Sequence, residues 1–387
     1  MNFSIPKEIN NALLTLNNAG FEAYIVGGCV RDMLLNKIPQ DYDITTSATP
    51  EEIIKLFPHT IPTGIKHGTV TVIFDNNERT EITTFRCETA YSDNRHPERV
   101  SFVKTIEEDL SRRDFTVNAM AFCDEKGFKD PFGGLNDLNK KTLRTVGEPY
   151  KRFSEDALRI LRLFRFSAQL GFSAEKNTFE QALKLSNNLC KISRERIRDE
   201  FIKTLCSQNP ADIAPLIKTN CLAFLGIKKD HTVFENLELL KADPIPRFAY
   251  YCFINNLSVL EIAQNLRLSK AFARSCENVC ALLKNKIPAN KVEIKQVLRT
   301  ITKSDFEIYL QIISKFNDTN TITESLKEIE CTGEPYSLSQ LKINGDDLLK
   351  LGIKDKQIKL VLENLLTLVI KHPEFNDKNI LIEQVTK

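Results

Sequence analysis

The sequence lacks the features that would place it in a membrane or in an oxidising compartment. No window of its 387 residues approaches the roughly 18 consecutive apolar residues of a membrane span. The N-terminal stretch has neither the basic start nor the apolar run of a secretory signal. The ten cysteines include no CxxC pair, and Cys276 and Cys280 have helical spacing, so we expect buried reduced thiols and not disulfides or zinc ligands. These absences predict a cytoplasmic protein with no membrane segment.

The chain also lacks a marked excess of charge of one sign. Its 53 basic and 51 acidic residues give a net charge of +2. That total neither requires nor excludes nucleic acid, because a basic face can be balanced elsewhere. Since 387 residues exceed what one core usually holds, we expect roughly two to four domains.

Two kinds of hydrophobic periodicity divide the chain. Up to about residue 125, helix and strand spacings alternate, whereas beyond residue 150 nearly every segment has helical spacing. This predicts an α+β fold in which a sheet domain precedes an all-helical part. The polar segment 86–108 is predicted to be a mobile loop. The other predicted elements are helix 6–18, strands 23–26, 41–45, 69–74 and 80–85, a helix with a capping box formed by Thr49 and Glu52, and helices 155–169 (with Ser154 as N-cap), 175–188, 193–206 and 356–371.

Two acidic residues, Asp41 and Asp43, are separated by one residue on a predicted strand. The two-residue period of a strand puts both carboxylates on one face. Two carboxylates that leave other positions to water and phosphate suit Mg²⁺. Such ions activate an attacking hydroxyl and neutralise a leaving pyrophosphate. The alternative is a solvated strand end, which is the commoner origin of a bare DxD pattern.

A glycine pair, Gly27 and Gly28, precedes a short predicted helix upstream of the acidic pair. Its backbone N–H groups and the helix N-terminus can face a triphosphate. Arg31, one turn into that helix, can bind the same anion. The alternative is an ordinary strand-to-helix turn in which Arg31 pairs with Asp32 or Asp41. Taken with the acidic pair, the glycine turn predicts a nucleotide site.

Five segments, in order, resemble the motifs of the class II tRNA nucleotidyltransferase and bacterial poly(A) polymerase family, within the DNA polymerase β superfamily. They are VGGCVRD at 26–32, DYDITT at 41–46, EDLSRRDFTVNAMA at 108–121, DPFGGLNDL at 130–138 with LRTV at 143–146, and KINGDDLL at 342–349. The resemblance covers nearly the whole chain. It implies a nucleotidyltransferase head at 1–147, a helical neck at 148–210, a helical body at 211–300 and a tRNA-binding tail at 301–387.

The resemblance also implies roles for individual residues. Arg113 would contact the nucleotide, and Asp114 its ribose. The full set of implied nucleotide contacts is Gly28, Arg31, Arg113, Asp114, Asp156, Arg159, Arg162 and Arg165, with Asp41 and Asp43 as catalytic metal ligands.

The predicted helix from residue 155 carries Arg159, Arg162 and Arg165 at every third position, so they form one slowly winding column. In the family, the matching Asp156 and Arg159 recognise the incoming base, and further arginines approach the phosphates. Cytosine and adenine both present an amino donor beside a ring-nitrogen acceptor, which suits a carboxylate beside a guanidinium. Uracil and guanine present the reverse polarity and would leave buried polar groups unpaired. An Asp156–Arg159 ion pair with a solvated stripe is the alternative.

Other residues near the site have two interpretations each. Glu81, on the strand next to the acidic pair, can orient or deprotonate the primer 3′ hydroxyl, or it is a surface glutamate. Lys66 can bind phosphate, although a plain turn is the more ordinary interpretation. The segment with Asp93, Arg95 and Arg99 resembles the family's flexible loop, which is implicated in the switch from CTP to ATP.

A basic stretch in the helical half is the candidate contact with RNA phosphates, and solvated helix faces are the alternative. Arg196 and Glu200, one turn apart, are interpreted as scaffolding of the neck. The basic residues of the stretch are Arg267, Lys270, Arg274, Lys284, Lys286, Lys291, Lys295 and Arg299.

These features predict an enzyme that adds C, C and A from CTP and ATP to the 3′ end of tRNA, with Mg²⁺ and without a nucleic-acid template. The expected partners are the tRNA 3′ end and acceptor arm, and the expected state is a monomer or homodimer. The alternatives are an A-adding or CC-adding enzyme, a poly(A) polymerase, and a non-catalytic RNA-binding protein on the same fold. Some relatives carry a metal-dependent HD phosphohydrolase domain, but the five histidines, of which only one lies between 150 and 370, cannot build that site.

Overall fold

A computed structural model of the chain describes residues 3–91 and 97–386, apart from the side chains of residues 88–91 and 97–100. The chain forms two compact units, Met1–Thr232 and Val233–Lys387. In the described residues every strand lies in the first unit, and the regular elements of the second unit are helices. This arrangement confirms the predicted α+β fold with a helical remainder.

The strands of the first unit form one mixed sheet and two smaller ladders. Their bounds are β1 (Ala23–Val26), β2 (Asp43–Thr46), β3 (Thr60–Gly64), β4 (Thr69–Ile73), β5 (Arg79–Thr84), β6 (Arg86–Tyr91), β7 (Pro97–Phe102), β8 (Ala121–Cys123), β9 (Gly127–Lys129), β10 (Thr142–Leu143) and β11 (Ser173–Ala174). The mixed sheet has the order β3-β4-β5-β2-β1-β8-β9. Only β2 and β5 are parallel in it, and its other described pairs are antiparallel.

The helices of the first unit cover the sheet and then continue beyond it. Their bounds are α1 (Lys7–Asn18), α2 (Gly28–Leu34), α3 (Pro50–Leu56), α4 (Ile106–Ser111), α5 (Gly134–Asn139), α6 (Pro149–Glu155), α7 (Leu158–Leu170), α8 (Lys176–Lys184), α9 (Arg194–Leu205) and α10 (Ala214–Lys218). The predicted capping box of α3 is confirmed, since the Thr49 and Glu52 side chains each accept from the other's backbone N–H. The predicted strands 69–74 and 80–85 are present as β4 and β5, which pair antiparallel.

The central strand β1 is buried on both faces. Ala23 and Ile25 belong to one core, with α1, α2 and α3, whereas Tyr24 and Val26 belong to a second core that includes α4. This alternation is the two-residue period of a strand between two apolar layers. Because Val26 lies opposite Asp43 in the register of β1 and β2, the Asp43 carboxylate lies on the face of the second core.

In the described residues, the polar segment after β5 forms two strands and the start of a helix, so the prediction of a loop is wrong for those parts of 86–108. β6 and β7 pair antiparallel, from Arg86 opposite Phe102 to Tyr91 opposite Pro97, and α4 follows. Antiparallel pairing satisfies the backbone N–H and C=O groups of both segments whatever the polarity of their side chains. Asp93 and Arg95 lie outside the described residues, as does the side chain of Arg99.

The predicted long helix at 155–169 is two helices. α6 ends at Glu155 and α7 begins at Leu158, because Asp156 has the extended angles φ −142° and ψ 103°. Ser154 does not cap a helix, since its hydroxyl donates to the carbonyl of Tyr150 at 2.7 Å. Asp156 instead accepts from the Leu158 N–H at 3.1 Å. The break therefore places the Asp156 carboxylate at the start of α7, as a cap of its first turn.

The second unit is a series of helices, and two clusters of buried apolar residues lie in its part from residue 282 onward. The bounds of the helices are α11 (Pro244–Ile254), α12 (Val259–Asn265), α13 (Lys270–Lys284), α14 (Lys291–Leu298), α15 (Lys303–Ile313), α16 (Asn320–Thr332), α17 (Gly345–Lys350), α18 (Asp355–Lys371) and α19 (Lys378–Thr386). One core joins residues of 282–336, and the other joins residues of 338–385 with Val292. No helix in the described part of the chain is long and apolar enough to cross a membrane.

Part of the basic stretch is neutralised within the second unit. Lys295 is buried and lies 2.6 Å from Glu334, and Lys291 lies 3.4 Å from the same carboxylate. Arg299 pairs with Glu363. These three side chains are therefore held by carboxylates of residues that are distant in sequence.

The ten cysteines are free, as expected, but they are not all buried. Cys276 and Cys280 are buried on α13, whereas Cys190 and Cys331 are exposed. The prediction of buried thiols is wrong for those two residues.

Candidate active site

The strand register places three polar side chains in a row across the sheet. Asp43 of β2 lies opposite Glu81 of β5, and Glu81 lies opposite Thr71 of β4. Register partners have their side chains on the same face of the sheet. Asp41 precedes β2, so the predicted strand 41–45 begins too early, but its side chain lines the same cavity of about 530 Å³ as Asp43, Glu81 and Thr71.

The pKa of Asp43 responds to its burial and to two charged neighbours. Burial raises the pKa of the Asp43 carboxyl, Arg113 opposes that rise, and the Asp41 carboxylate adds to it. In the described residues no group of three or more His, Cys, Asp or Glu side chains is arranged as a complete set of metal ligands. The donor set is the carboxylates of Asp41 and Asp43, which line one cavity with Glu81. It fits a cation that takes its remaining ligands from water and phosphate.

A cleft of about 590 Å³ opens beside this row. Eight arginines and three aspartates line it, so its walls are strongly cationic. The lining residues are Gly27, Gly28, Arg31, Asp43, His67, Arg86, Arg112, Arg113, Asp114, Asn118, Asp156, Leu158, Arg159, Arg162, Arg165, Phe166 and Arg196. Each nucleotide-contacting residue expected from the sequence is therefore a lining residue.

The turn between β1 and α2 forms one wall of the cleft. Gly27 has φ 78°, a positive value that favours glycine, and a Cβ atom there would also lie 2.8 Å from Nη1 of Arg113. Arg31 lies behind this turn and pairs with Asp32 at 2.8 Å. Its Nη1 also donates to Oδ1 of Asn118 at 2.7 Å. The pairing with Asp32 considered from the sequence does occur, and Arg31 still lines the cleft.

A buried carboxylate, Asp109, positions the arginines at the end of α4. It accepts from Arg112 at 2.8 Å, from Arg113 at 3.3 Å and from the backbone N–H of Arg86 at 3.3 Å. Burial alone would raise the pKa of Asp109, but Arg112 and Arg113 outweigh it and hold the pKa below its ordinary value. Asp109 therefore stays charged and fixes Arg113 at the cleft, a role that we did not predict from the sequence.

Asp114 is fixed as firmly on the opposite wall. It accepts from Nε and Nη2 of Arg162, both at 2.7 Å. It also accepts from the backbone N–H of Phe115 at 2.8 Å and from Asn118 at 3.2 Å. Burial opposes ionisation, yet the charge and hydrogen bonds of Arg162 prevail and lower the pKa of Asp114 to about 2. Arg162 thus links the second motif to the arginine column of α7.

The column itself is partnered from α9. Glu200 is buried, and its carboxylate lies 2.5 Å from Arg165 and 3.6 Å from Arg162. Arg165 also lies 4.0 Å from the centroid of Phe166, a cation–π distance. The scaffolding role that the sequence suggested for Glu200 agrees with these contacts.

Asp156 and Arg159 do not pair with each other. Arg159 donates to Glu155 at 2.8 Å and to the carbonyl of Arg112 at 3.0 Å. Asp156 accepts two hydrogen bonds from Arg196, at 2.7 and 3.3 Å. Arg196, which was interpreted as scaffolding, therefore lines the cleft and contacts the carboxylate that the family motif assigns to the base.

Two neighbouring residues after β3, Lys66 and His67, differ in whether they line the arginine-rich cleft. Lys66 is exposed and is not a lining residue of the arginine-rich cleft, whereas its neighbour His67 is. The carbonyl of His67 accepts from the Arg86 guanidinium. The interpretation of Lys66 as part of a plain turn agrees with this position.

A second cleft of about 670 Å³ shares four residues with the first, namely Gly28, Arg31, Asp43 and Arg165. Its other lining residues are Cys29, Asp32, Lys37, Ile38, Gln40, Asp41, Gln169, Leu170, Lys203, Cys206, Ser207 and Gln208. Asp43 thus stands where the two clefts meet. The side chain of Ile38 is 94% exposed at the edge of the second cleft.

The chain is similar to known proteins in both sequence and fold. The family model "Poly A polymerase head domain" matches residues 23–144, and the model "Probable RNA and SrmB- binding site of polymerase A" matches residues 171–226. A CCA-adding enzyme of Ligilactobacillus salivarius is 37% identical over 99% of this chain and 98% of its own length. One of Leuconostoc citreum is 41% identical over 79% of this chain and 75% of its own. The crystal structure of Bacillus stearothermophilus CCA-adding enzyme in complex with CTP matches with a TM-score of 0.85 and 28% identity, over 98% of this chain and 97% of that one.

Proposed function

Because the chain belongs to the CCA-adding enzymes, nucleotidyltransferases with a poly(A) polymerase head domain, we propose that it adds C, C and A to the 3′ end of tRNA. The substrates are CTP and ATP, and pyrophosphate is released. The observation that carries the proposal is the cleft of eight arginines that adjoins the row of Asp43 and Glu81. A triphosphate is the polyanion that such walls would bind.

The two clefts divide the substrates between them. The triphosphate lies in the arginine-rich cleft, near Arg113, Arg162 and Arg165, and the 3′-terminal nucleotides of the RNA lie in the second cleft. Asp43, at their junction, is then next to both reacting groups. In the reaction the 3′ oxygen forms a bond to the α-phosphorus, the bond to the bridging oxygen of pyrophosphate breaks, and the hydroxyl loses its proton. Glu81 lies next to Asp43 and is the proposed acceptor of that proton.

Asp41 and Asp43 are the residues that would hold Mg²⁺. Their carboxylates line one cavity. Burial and the Asp41 charge raise the pKa of Asp43, and a bound cation would stabilise its ionised form. When bound, the ion supplies charge neutralisation for the phosphates and lowers the pKa of the attacking hydroxyl.

The base is selected by protein side chains in place of a nucleic-acid template. Asp156 accepts from the amino group of cytosine or adenine, and Arg159 donates to the ring nitrogen beside it. Both residues line the cleft at the start of α7. Uracil and guanine would meet Asp156 with a carbonyl oxygen, which leaves the carboxylate and the base oxygen unpaired.

The helical parts would hold the rest of the tRNA. We propose that the chain continues after the head as a neck at 148–210, a body at 211–300 and a tail at 301–387. The acceptor arm of the tRNA would contact exposed basic residues of these parts. Lys270, Arg274, Lys284 and Lys286 are exposed and remain candidates for phosphate contacts.

One assay tests the function. The purified full-length protein is given Mg²⁺ and tRNA transcripts that end before CCA, after C, or after CC, with each nucleotide alone and with CTP and ATP together. We expect the first transcript to gain CCA. Extension of only the CC-ending transcript would show an A-adding enzyme, two added C residues a CC-adding enzyme, and long A tails a poly(A) polymerase. Binding without extension would show a non-catalytic RNA-binding protein.

A further inference from the structure

We propose that Arg196 is a positioning residue for base selection: it holds the Asp156 carboxylate in the orientation that accepts an amino group. The inference rests on the proposed function, in which Asp156 contacts the incoming base. Arg196 lies on α9, 40 residues beyond Asp156, and both side chains line the arginine-rich cleft.

The contact has the geometry of a fork and not of a chance surface pair. Nη2 of Arg196 lies 2.7 Å from Oδ2 of Asp156, and Nη1 lies 3.3 Å from Oδ1. The Asp156 side chain is 15% exposed and that of Arg196 is 30% exposed. Two parallel N–H donors fix both the distance and the plane of a carboxylate, which a single point charge does not do.

The surroundings of Asp156 explain why it needs a dedicated partner. Seven other arginines line the same cleft. A carboxylate free to rotate there has several guanidinium groups to choose from, beginning with Arg159, three residues along. If Asp156 formed an ion pair with Arg159, the pair would use the hydrogen-bonding atoms of both side chains, and neither side chain would face the base. In the structure Arg159 is held by Glu155 and Asp156 by Arg196, so the two base-facing groups are kept apart.

The hydrogen-bond capacity of Asp156 matches one further donor. An ionised carboxylate has about four acceptor positions. Three are used, by Nη1 and Nη2 of Arg196 and by the backbone N–H of Leu158. The remaining position accepts a single N–H, such as that of a cytosine or adenine amino group. A base that presents a carbonyl oxygen there has no donor to give.

The helix that carries Arg196 also holds the neighbouring arginines. Glu200, one turn along α9, contacts Arg162 and Arg165. α9 therefore presents a cation to Asp156 and an anion to the column on α7. Because Glu200 holds the column, loss of the Arg196 fork alone leaves α7 and α9 attached to each other.

The test is base selectivity in an Arg196→Gln variant of the full-length enzyme. The values of kcat/KM for CTP and UTP are measured on a transcript that ends before CCA, and those for ATP and GTP on one that ends in CC. We expect the CTP-to-UTP and ATP-to-GTP ratios to fall by about tenfold or more, because the carboxylate loses its fixed orientation. Arg196→Lys keeps the charge without the fork, so it should also lower both ratios, by a smaller factor.

The matched control is Arg198→Gln, which removes an arginine from the same helix. Arg198 pairs with Asp199 and is not a lining residue of the cleft, so both ratios should stay within about twofold of the wild type. In an Asp156→Ala background, Arg196→Gln should change the ratios no further, since the coupled pair is already broken.

An equal fall of kcat/KM for all four nucleotides, with both ratios unchanged, would overturn the inference and leave Arg196 as scaffolding. If Arg196→Gln does not fold at the assay temperature, the ratios for Arg196→Lys decide by the same criterion. A wild-type protein that extends no transcript would instead contradict the proposed function, so the two failures are distinguishable.

Discussion

The arginine-rich cleft of the first unit and the basic helices of the second unit are built from similar residues, but they differ in what surrounds the charges. In the cleft, seven of the eight lining arginines contact a carboxylate, but all eight still line an open cavity of about 590 Å³. In the second unit, Lys291, Lys295 and Lys303 lie within 4 Å of four glutamates. Lys295 is almost fully buried, at 1% exposure. The first set lines a cavity that an anionic substrate can enter, whereas the three lysines of the second set lie beside four glutamates.

The comparison shows what a run of basic residues does and does not indicate. Both sets are conspicuous in the sequence, and folding brings acids near both, so only the fold shows which of the cations line the cleft. Glu334 lies 39 residues beyond Lys295, and it uses Lys295 and Lys291 as partners. A set of cations binds a polyanion when its partners leave capacity free, and it stabilises a fold when they do not.

The largest expected effect is at the acidic row, where function and stability should oppose each other. Asp43→Asn should lower nucleotide addition by about 1,000-fold or more, because a charged ligand of the proposed Mg²⁺ site is lost. The same change should raise the melting temperature at pH 7. The folded-state pKa of Asp43 is raised, so its ionisation costs folding free energy above that pKa. Below that pKa the wild-type carboxyl is protonated in the fold, and the gain should disappear.

Thermal unfolding at pH 7 and at about pH 4, together with the tRNA extension assay, measures both effects. Asp75→Asn is the matched control, since Asp75 is exposed in the turn between β4 and β5 and lines neither cleft. It should leave activity and the pH dependence unchanged. A lower melting temperature for Asp43→Asn at pH 7 would show that Asp43 stabilises the fold, as the lysine–glutamate pairs of the second unit do.

Much of the cleft is predictable from the sequence because its residues lie in short ordered motifs. Gly28, Arg31, Arg113, Asp114 and Arg162 all line it, as expected. Their common feature is that each belongs to a segment with a recognisable local pattern, namely the glycine turn, the motif at 108–121 or the arginine column. The sheet faces follow as well, since the apolar alternation of β1 is explicit in the sequence.

The parts that sequence reasoning missed depend on contacts that no local pattern contains. Arg196 meets Asp156 across 40 residues, and Asp109 meets the backbone of Arg86 across 23. The helix break at Asp156 is also hidden, because the apolar spacing continues through it. The sequence offered one signal for these contacts, the spacing of Arg196 and Glu200. They are an opposite-charge pair one helical turn apart, and they contact Asp156 and the arginines of α7 respectively.

The second expected effect is on stability alone. Lys295→Met should lower the free energy of unfolding by about 3 kcal/mol, because it leaves a half-buried glutamate without its nearest cation. Glu334 is 14% exposed and keeps Lys291, at 3.4 Å, as its cationic partner, with the Thr332 hydroxyl also at 3.4 Å. Nucleotide addition at low temperature should be unchanged, since Lys295 lies far along the chain from the motifs of the cleft. Denaturant unfolding followed by circular dichroism measures the loss.

Lys303→Met is the control for that prediction. Lys303 also pairs with a glutamate, at 2.5 Å, but its side chain is 46% exposed, so its pair is largely screened by solvent and the unfolding midpoint should barely move. A double variant, Lys295→Met with Glu334→Met, should recover much of the stability, because a buried ion pair replaced by apolar groups is often close to neutral. Loss of tRNA extension in folded Lys295→Met would break the comparison, since it would mean that a satisfied cation still serves the substrate.

The smallest effects are expected at the second cleft, where two exposed lysines sharpen the comparison from the other side. Lys37 and Lys203 line this cleft, and we expect each to contact a phosphate of the RNA 3′ end. Each alanine variant should raise KM for the tRNA a few-fold, leave KM for CTP unchanged, and lower the slope of log affinity against log salt by about 1. Filter binding of a tRNA transcript across a salt series measures the slope. Lys66→Ala is the control, since Lys66 is an exposed lysine outside the lining of both clefts.

If Lys37→Ala and Lys203→Ala raised KM for CTP and left the salt slope as it was, the second cleft would belong to the nucleotide, and the proposed division of the two substrates would fail. If they changed neither, the second cleft would not bind the RNA end through these lysines.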